Sequence, residues 1–496
     1  MSMVSPALMY LGVALFFAAM FAIAHYGRRR TGAGVEEYYL AGRRIGGFVA
    51  ALTYSATTYS AFMMVGLVGY AWAGGVGAMG FELTYLIGTG ILLLIFAPRM
   101  LIAGRIWGLV SPSEFLSKRY GSAAVGALAS LICLLFLVPY TSVQAQGSAY
   151  LLNRLTDGGI SYEAGLAFMV AIIAVLAWWG GMRGVAWSDA LQALVMIITA
   201  TALLAFIIQS AFGGPGAFVS KMEAEAPELL SVPGPGAFFG FSRFLGLTVP
   251  WFFFAITNPQ VSQRLFVPRS MYSLKWMLRG FLAFGFLYTV ICTLLGLSSR
   301  LIYPSLPSPD LAMPKLLSEK VPPLISMVAS LGILSAAVTT ADSILLSLGS
   351  MVGRDIYRAM RPGAQEAWEL RVGKSIIALM ALALLAFAWR PLGLIVELSV
   401  LSSAGLLAVA PPVVGAFFWR RGTAPGALAG MAAGALVAGS LHFLRSYPLG
   451  QWPGVWALLA STIAFLVASG LTRPPEGSAE FFGALEEALA KKNVKL

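Results

Sequence analysis

The sequence has very few of the side chains from which metal centres, disulfides and catalytic sites are built. Its 496 residues include only two cysteines and two histidines. Cys133 and Cys292 lie inside apolar runs, where the expected role is that of a small buried hydrophobe. His25 and His442 have no neighbouring ligand or nucleophile pattern. This scarcity excludes a disulfide framework and disfavours a metal centre or a nucleophile–base pair, so we do not expect an enzyme.

Charged residues are scarce as well. They make up 11% of the chain, against 58% hydrophobic residues, and the mean hydropathy is +0.81. This composition is too apolar for a soluble multidomain protein and is typical of a chain that crosses a membrane many times. A scan for apolar runs of about 20 residues gives roughly thirteen candidate transmembrane helices. We therefore predict an all-α integral membrane protein.

The net charge of +12 is explained by topology better than by a nucleic-acid site. Most of the 33 Lys and Arg residues fall on alternate loops, among them Arg28, Arg119, Arg264 and Arg354. By the positive-inside rule, this asymmetry predicts an N-terminus outside and a C-terminus inside the cytoplasmic (inner) membrane. The lipid bilayer is the predicted partner. Neither nucleic acid nor an obligatory protein partner is indicated.

The tail that follows Arg473 has helical periodicity at residues 480–489. Such a segment can lie on the membrane surface as an amphipathic helix, or it can form a solvated end of the chain. We expect the solvated end.

One apolar run, residues 331–352, carries polar side chains at membrane depth. Ser335, Thr339 and Ser343 recur every four residues, so they lie on one face of a helix. Asp342 adds a carboxylate, which costs about 2.5–3.5 kcal/mol at the centre of a membrane helix. We interpret this stripe as the lining of a cavity or an ion path.

Two other predicted helices carry features that interrupt a helix. Residues 53–60 of the second helix crowd hydroxyl side chains together, and such side chains offer the backbone alternative hydrogen bonds. In the seventh helix, Pro259 follows Asn258 and ends an apolar run. Either feature alone could be a packing kink. The two interruptions occupy equivalent positions, however, if helices 2–6 and 7–11 are inverted repeats, and that arrangement is typical of secondary transporters.

These segments predict an inverted five-plus-five helix repeat of the LeuT type, with one extra N-terminal and two extra C-terminal helices. The predicted parts are an extra helix with a basic cytoplasmic loop (1–44), the first repeat with helices 2–6 (45–211), the second repeat with helices 7–11 (236–419), two peripheral helices (420–472) and a cytoplasmic tail (473–496).

Several motifs, in one order and over nearly the whole chain, resemble the sodium:solute symporter family. The motifs are Tyr39-Leu-Ala-Gly-Arg43, Ser111-Pro-Ser-Glu-Phe115, Gly180-Gly-Met-Arg-Gly-Val-Ala-Trp-Ser-Asp189, Pro259-Gln260 with Gln263-Arg264, and Ala336-Ala-Val-Thr-Thr-Ala-Asp-Ser343 with Arg354-Asp-Ile-Tyr357. Members of this family carry proline, pantothenate, sugars, sialic acid or monocarboxylates together with sodium. The resemblance implies a sodium-coupled symporter that imports a small organic solute by alternating access, with Na⁺ as its only metal.

The resemblance also implies a sodium site made of carbonyl oxygens from the two interrupted regions and two adjacent hydroxyls. The matching positions are Ala56, Tyr59, Ala336, Thr339 and Thr340. Asp189 matches a family carboxylate on the sodium route to the cytoplasm, and with Ser343 it could instead form a second sodium site. Neutral oxygens suit a small hard cation that must later be released.

The substrate cavity is expected between the two interrupted helices. Its predicted residues are Thr58, Ser60, Phe62, Met63, Glu82, Trp251, Phe254 and Glu397. Sugar-carrying relatives have polar residues where this chain has Phe62 and Met63, so a hexose is disfavoured. We expect an amino acid or a carboxylate such as proline, pantothenate or a monocarboxylate. Two alternatives stay open, a proton-coupled carrier of the same fold and a membrane solute sensor that does not transport.

Overall fold

A computed structural model describes residues 6–156, 158–389 and 395–492, with the side chains of 6–9 and 395–397 left out. Within these ranges the regular structure is helical, apart from one isolated bridge between Ile45 and Pro268. The helices of the first half are α1 (Pro6–Arg29), α2 (Val35–Leu40), α3 (Gly47–Thr58), α4 (Val68–Gly74), α5 (Gly77–Ile106), α6 (Pro112–Tyr120), α7 (Ala123–Leu155), α8 (Tyr162–Val175), α9 (Gly181–Phe212), α10 (Pro215–Glu225) and α11 (Phe241–Phe252).

The second half continues with shorter pieces around the seventh predicted span and then with long helices. They are α12 (Phe254–Thr257), α13 (Pro259–Ser262), α14 (Met271–Ile302), α15 (Ala312–Glu319), α16 (Pro323–Met351), α17 (Arg358–Met360), α18 (Glu366–Ala388), α19 (Ile395–Leu406), α20 (Ala410–Phe418), α21 (Ala424–Phe443), α22 (Pro453–Leu471) and α23 (Ser478–Ala490). The all-α fold class is confirmed.

In the described ranges, ten helical segments are long and apolar enough to cross a membrane, or eleven if one bent pair counts as a span. One segment, Tyr162–Phe212, has 51 residues. At 1.5 Å per residue it would extend about 77 Å, more than twice the hydrocarbon thickness, so it must contain two spans. The backbone leaves helical geometry at Gly181, whose φ is +58° and whose Cβ, if present, would lie 3.0 Å from Tyr38. The count of about thirteen spans remains a prediction.

The second predicted helix is broken, as its sequence predicts. The pieces Gly47–Thr58 and Met63–Gly74 meet at an angle of 58°. Near the break, Ser55 Oγ donates to Ala51 O (2.8 Å) and Thr58 Oγ1 donates to Tyr54 O (2.7 Å). Hydroxyls bonded back to their own helix in this way tend to bend it.

The seventh predicted helix is broken too. It runs as α11, α12 and α13, with Phe253 and Asn258 outside helical geometry between them. Asn258 has an extended ψ of 112° because the ring of Pro259 disfavours helical geometry in the residue before it. Pro259 then opens α13, where its missing N–H costs nothing.

Helix α16, which carries the polar stripe, packs against α3, α7, α9 and α13. Every residue from Gly332 to Met351 is buried. Helix α16 is therefore surrounded by other helices along this segment, and the break in α3 lies against its polar stripe.

The C-terminal tail differs from our expectation of a solvated end. Helix α23 packs against the protein, because the Phe481 ring stacks on Trp107 with centroids 4.3 Å apart. The Arg119 guanidinium lies 4.8 Å from the centre of the Phe482 ring. The apolar face of this segment covers protein rather than water, since both phenylalanine rings are buried.

The docked tail gives a first prediction. Phe481→Ala removes the ring stacked on Trp107, and burial of such a ring contributes roughly 1.5–3 kcal/mol. Amide hydrogen exchange in Ser478–Ala490 should therefore accelerate about tenfold or more in purified protein. Phe443→Ala is the matched control, because the Phe443 ring is exposed at the end of α21. Equal exchange rates in both variants would contradict the docking.

Candidate functional site

The break after α3 releases backbone oxygens inside the protein. The last four carbonyls of a helix have no partner within that helix. The chain leaves helical geometry at Tyr59, with φ −95° and ψ 97°, directly after Thr58. Ala56 lies in this last turn, and the partner of its carbonyl oxygen comes from the facing helix α16. Thr339 Oγ1 donates to Ala56 O at 2.9 Å.

Thr339 also lies 3.2 Å from the carbonyl oxygen of Ala336, one turn earlier in α16. Two of the five predicted sodium ligands, the carbonyls of Ala56 and Ala336, are therefore within hydrogen-bonding distance of a third, the Thr339 hydroxyl. A hydroxyl has one proton to donate, so it cannot satisfy both carbonyls fully at once. Thr340 is 1% exposed, and its hydroxyl has no hydrogen-bond partner among the described residues. The fifth predicted ligand, Tyr59, begins the unwound segment three residues after Ala56.

Asp189 and Ser343, predicted as the sodium exit or a second sodium site, are brought together by a third residue. Arg264 Nη2 donates to Asp189 Oδ2 at 2.9 Å and to Ser343 Oγ at 2.6 Å. Thr53 of the broken helix donates to the same Asp189 oxygen at 2.6 Å and accepts from Arg264 Nε at 3.1 Å. Thr57 Oγ1 lies 3.1 Å from Ser343 Oγ.

Arg264 lies at the centre of this cluster, and sequence reasoning assigned it no place in the site. The charge pattern places it in a cytoplasmic loop, but its side chain is 1% exposed and paired with Asp189, which is fully buried. The only signal for it was its position in the motif that follows Pro259-Gln260. Removing either partner of such a buried ion pair alone strongly destabilises the protein, because the other charge stays buried without a counter-charge.

Asp342 lies within electrostatic range of Asp189 and Arg264. Its Oδ1 accepts from Ser343 Oγ at 3.3 Å, whereas its Oδ2 has no hydrogen-bond partner in the described structure. Asp189 Oδ1 is also without a partner there. Two carboxylates and one guanidinium therefore share this buried cluster. Its members on α16 follow Thr339 and Thr340 within about one helical turn.

The predicted substrate-cavity residues Phe62, Trp251 and Phe254 form an aromatic cluster where the two broken helices meet. The centroids of Phe62 and Trp251 are 4.9 Å apart, and Trp251 stacks on Phe254 at 6.0 Å. Tyr85, which the sequence did not single out, completes the cluster at 5.8 Å from Trp251. The indole nitrogen of Trp251 is buried and has no partner among the described residues, so a ligand can accept its hydrogen bond.

Two acidic residues were assigned to the cavity. Glu82 is fully buried in α5, near Tyr59, Tyr85 and Cys292, and neither carboxylate oxygen has a hydrogen-bond partner in the described structure. Glu397 belongs to α19, but its side chain lies outside the described residues.

The remaining cavity residues are buried close to the break. Thr58 donates its hydroxyl within its own helix, and Ser60 Oγ accepts from the backbone N–H of Phe62 at 3.2 Å. Met63 begins a π-helical turn, Met63–Leu67, that leads into α4. Bulges of this kind frequently mark functional sites.

Two discontinuous helices that expose backbone oxygens beside a buried polar helix define a secondary transporter. Comparison with known proteins then gives the family. The profile of the sodium:solute symporter family matches residues 38–434, and the chain belongs to that family.

Two curated relatives and one solved structure are similar to the chain over nearly its whole length. The sodium/pantothenate symporter of Escherichia coli (strain K12) is 30% identical, covering 92% of this chain and 94% of that protein. A sodium/proline symporter of Staphylococcus aureus (strain USA300) is 25% identical, covering 94% and 93%. The outward-open, substrate-bound structure of a Na⁺-coupled sialic acid symporter shares the fold, with a TM-score of 0.79 at 20% identity over 94% of this chain and 98% of that one.

The buried ion pair gives a second prediction. Thr53→Val leaves Asp189 and Arg264 in place but removes the hydroxyl bonded to both, and an unmet buried hydrogen bond costs about 1–3 kcal/mol. The melting temperature of the purified protein should therefore fall. Thr201→Val is the matched control, because Thr201 is exposed and donates only to Ile197 of its own helix. A fall no larger than that of the control would show that Thr53 does not support the pair.

Proposed function

We propose that the protein is a sodium-coupled symporter that imports a small organic solute, an amino acid or a carboxylate, by alternating access. The observation that carries this proposal is the approach of Thr339 Oγ1 to the carbonyls of Ala56 and Ala336 at the helix break. Its relatives are transporters, so the function proposed for this chain is transport rather than catalysis.

The proposed coupling ion is Na⁺, held by Ala56, Tyr59, Ala336, Thr339 and Thr340. All five contribute neutral oxygens, since the first three offer backbone carbonyls and the two threonines offer hydroxyls. Such ligands replace the hydration shell of a hard monovalent cation without a full opposing charge, so that the ion can leave again. The hydroxyl of Thr340, which has no partner among the described residues, and the shared hydroxyl of Thr339 fit this role.

The ion site can couple to the solute site because both use the same break. Tyr59 would supply a carbonyl to the ion, and Phe62, three residues later, packs on Trp251 in the aromatic cluster. An ion that ties α3 to α16 would fix the position of this segment and so complete the solute cavity. The coupling is reciprocal, because a solute that binds the ion-bound form better must also raise the affinity for the ion.

The aromatic cluster supports a modest organic solute rather than a hexose. Its rings offer apolar walls, whereas a sugar needs many hydrogen-bond partners. The relatives named for pantothenate and for proline make these two solutes the first candidates. Glu82, whose two carboxylate oxygens have no partner within the described ranges, would accept hydrogen bonds from an ammonium, hydroxyl or amide group of the solute.

The proposed orientation has the N-terminus outside and the C-terminus inside the cytoplasmic membrane. Sodium would then enter from the outer face and leave past Asp189. An inside-negative potential contributes about 2.3 kcal/mol per charge and 100 mV to this inward movement.

The sodium site gives a third prediction. Thr339→Ala and Thr340→Ala each remove one ligand, and we expect the sodium concentration for half-maximal uptake in proteoliposomes to rise at least about tenfold, which corresponds to 1.4 kcal/mol. Thr462→Ala is the control, because Thr462 lies on the peripheral helix α22 and donates only to Leu458. Unchanged sodium activation in both site variants would refute the assignment.

The solute gives a fourth prediction. The purified protein is heated with pantothenate, proline, lactate or sialic acid, in sodium chloride or in choline chloride at fixed pH. We expect one of the first three solutes to raise the melting temperature only when sodium is present, because a ligand at 100 times its dissociation constant adds about 2.7 kcal/mol to the folded state. Stabilisation that is equal in choline would point to proton coupling instead.

A further inference from the structure

An apolar cavity lies between α5, α10 and α14, and none of its lining residues belongs to the ion or solute site. Its volume is about 270 Å³, and its walls include Met79 of α5, Phe218 and Met222 of α10, and Leu294 of α14. Thr293 is the one polar residue in this lining, and its hydroxyl has no hydrogen-bond partner in the described part of the chain. Such walls suit hydrocarbon rather than a polar ligand.

Water does not fill a cavity of this kind. An apolar cavity of about 150 Å³ stays dry yet binds benzene, and the cavity beside α10 is larger. Protein interiors are closely packed, so an empty space of this size leaves the side chains around it without contacts. A hydrocarbon group from outside the chain would restore those contacts.

The cavity continues into a groove between α5 and α14, which run side by side in opposite directions. A Cβ added to Gly90 of α5 would lie 3.1 Å from Leu282 of α14. One added to Gly285 of α14 would lie 2.9 Å from Leu86 of α5. The cavity lies further toward one end of this pair, near Met79. The groove therefore leads from the cavity toward the middle of both helices.

Large apolar side chains are exposed on both helices along this groove. Ile87 of α5 is 64% exposed, and Phe286 of α14 is 50% exposed. Phe286 lies one turn from Val290, which borders the cavity, so the exposed face and the cavity wall are continuous. In a chain that crosses the membrane, an exposed apolar face of this kind contacts lipid. A hydrocarbon chain can therefore reach the cavity without crossing water.

The polar face of α10 indicates which headgroup would lie beside the cavity. Lys221 adjoins Met222 of the cavity wall, and its ammonium lies 3.9 Å from Glu225 Oε1. Glu223 is exposed on the same helix. Anionic lipids are attracted by clusters of basic residues, whereas Lys221 is the only basic residue of α10. A headgroup that carries both charges matches the Lys221–Glu225 pair.

We propose that this cavity holds an acyl chain of phosphatidylethanolamine from the surrounding bilayer, with the headgroup beside Lys221 and Glu225. The inference goes beyond the proposed function and does not depend on the coupling ion or the solute. Helix α14 also packs against α3 and α4. The bound lipid would therefore support the helix that lies behind the first break.

Native mass spectrometry of the purified protein tests this site with palmitoyl-oleoyl phosphatidylethanolamine and with the matching phosphatidylglycerol. We expect the native protein to hold one phosphatidylethanolamine at least about tenfold more tightly than phosphatidylglycerol. Val290→Trp places a large ring at the cavity and should weaken this binding at least about tenfold. Val467→Trp is the matched control, because Val467 is exposed on the peripheral helix α22.

Leu230→Trp is a second cavity variant, for the case that Val290→Trp does not fold. Leu230 lines the cavity but is 42% exposed, so a larger side chain is tolerated there. Its control is Leu459→Trp, at an exposed position of α22. Equal lipid affinity in the cavity and control variants would overturn the proposal. So would a native protein that retains no phosphatidylethanolamine, or one that binds phosphatidylglycerol as tightly.

Discussion

Hydrocarbon offers no hydrogen bond to a backbone carbonyl, and this constraint governs the centre of the molecule. Once the second helix is broken at Tyr59, the oxygens of its last turn need partners from elsewhere in the protein. The hydroxyl of Thr339 on α16 meets one of them, at Ala56. The break and the polar stripe are therefore parts of one feature, because a hydroxyl of the stripe supplies a partner that the broken helix lacks.

Polar groups further along α16, in the charged cluster, also need hydrogen-bond partners inside the protein. Ser343 lies one turn below Thr339 and bonds to Arg264, which in turn bonds to Asp189 on α9 and to Thr53 on α3. Three helices and the end of the broken seventh span thus converge on a single guanidinium. A movement of α3 relative to α16 would disturb the ion site and this cluster together.

The sequence predicted the features that depend on local chemistry. Hydroxyls at residues 53–60 and Pro259 disrupt a helix wherever they occur, so both breaks could be expected from the chain alone. Arg264 could not be placed in this way, because its partner Asp189 is 75 residues away and the residue itself stands next to the basic residues of a loop. The tail shows the same limit. The spacing of Phe481 and Phe482 predicts an apolar helix face, but only the folded chain brings Trp107 and Arg119 beneath it.

The fixed guanidinium of Arg264 also bears on how the molecule can change shape. Its hydrogen bonds join α9, α16 and α3 at Asp189, Ser343 and Thr53. A rearrangement that separates these helices leaves a buried donor or acceptor unsatisfied, which costs about 1–3 kcal/mol for each group. Intermediate positions of α3 are therefore disfavoured, so we expect the protein to switch between discrete conformations rather than to deform gradually.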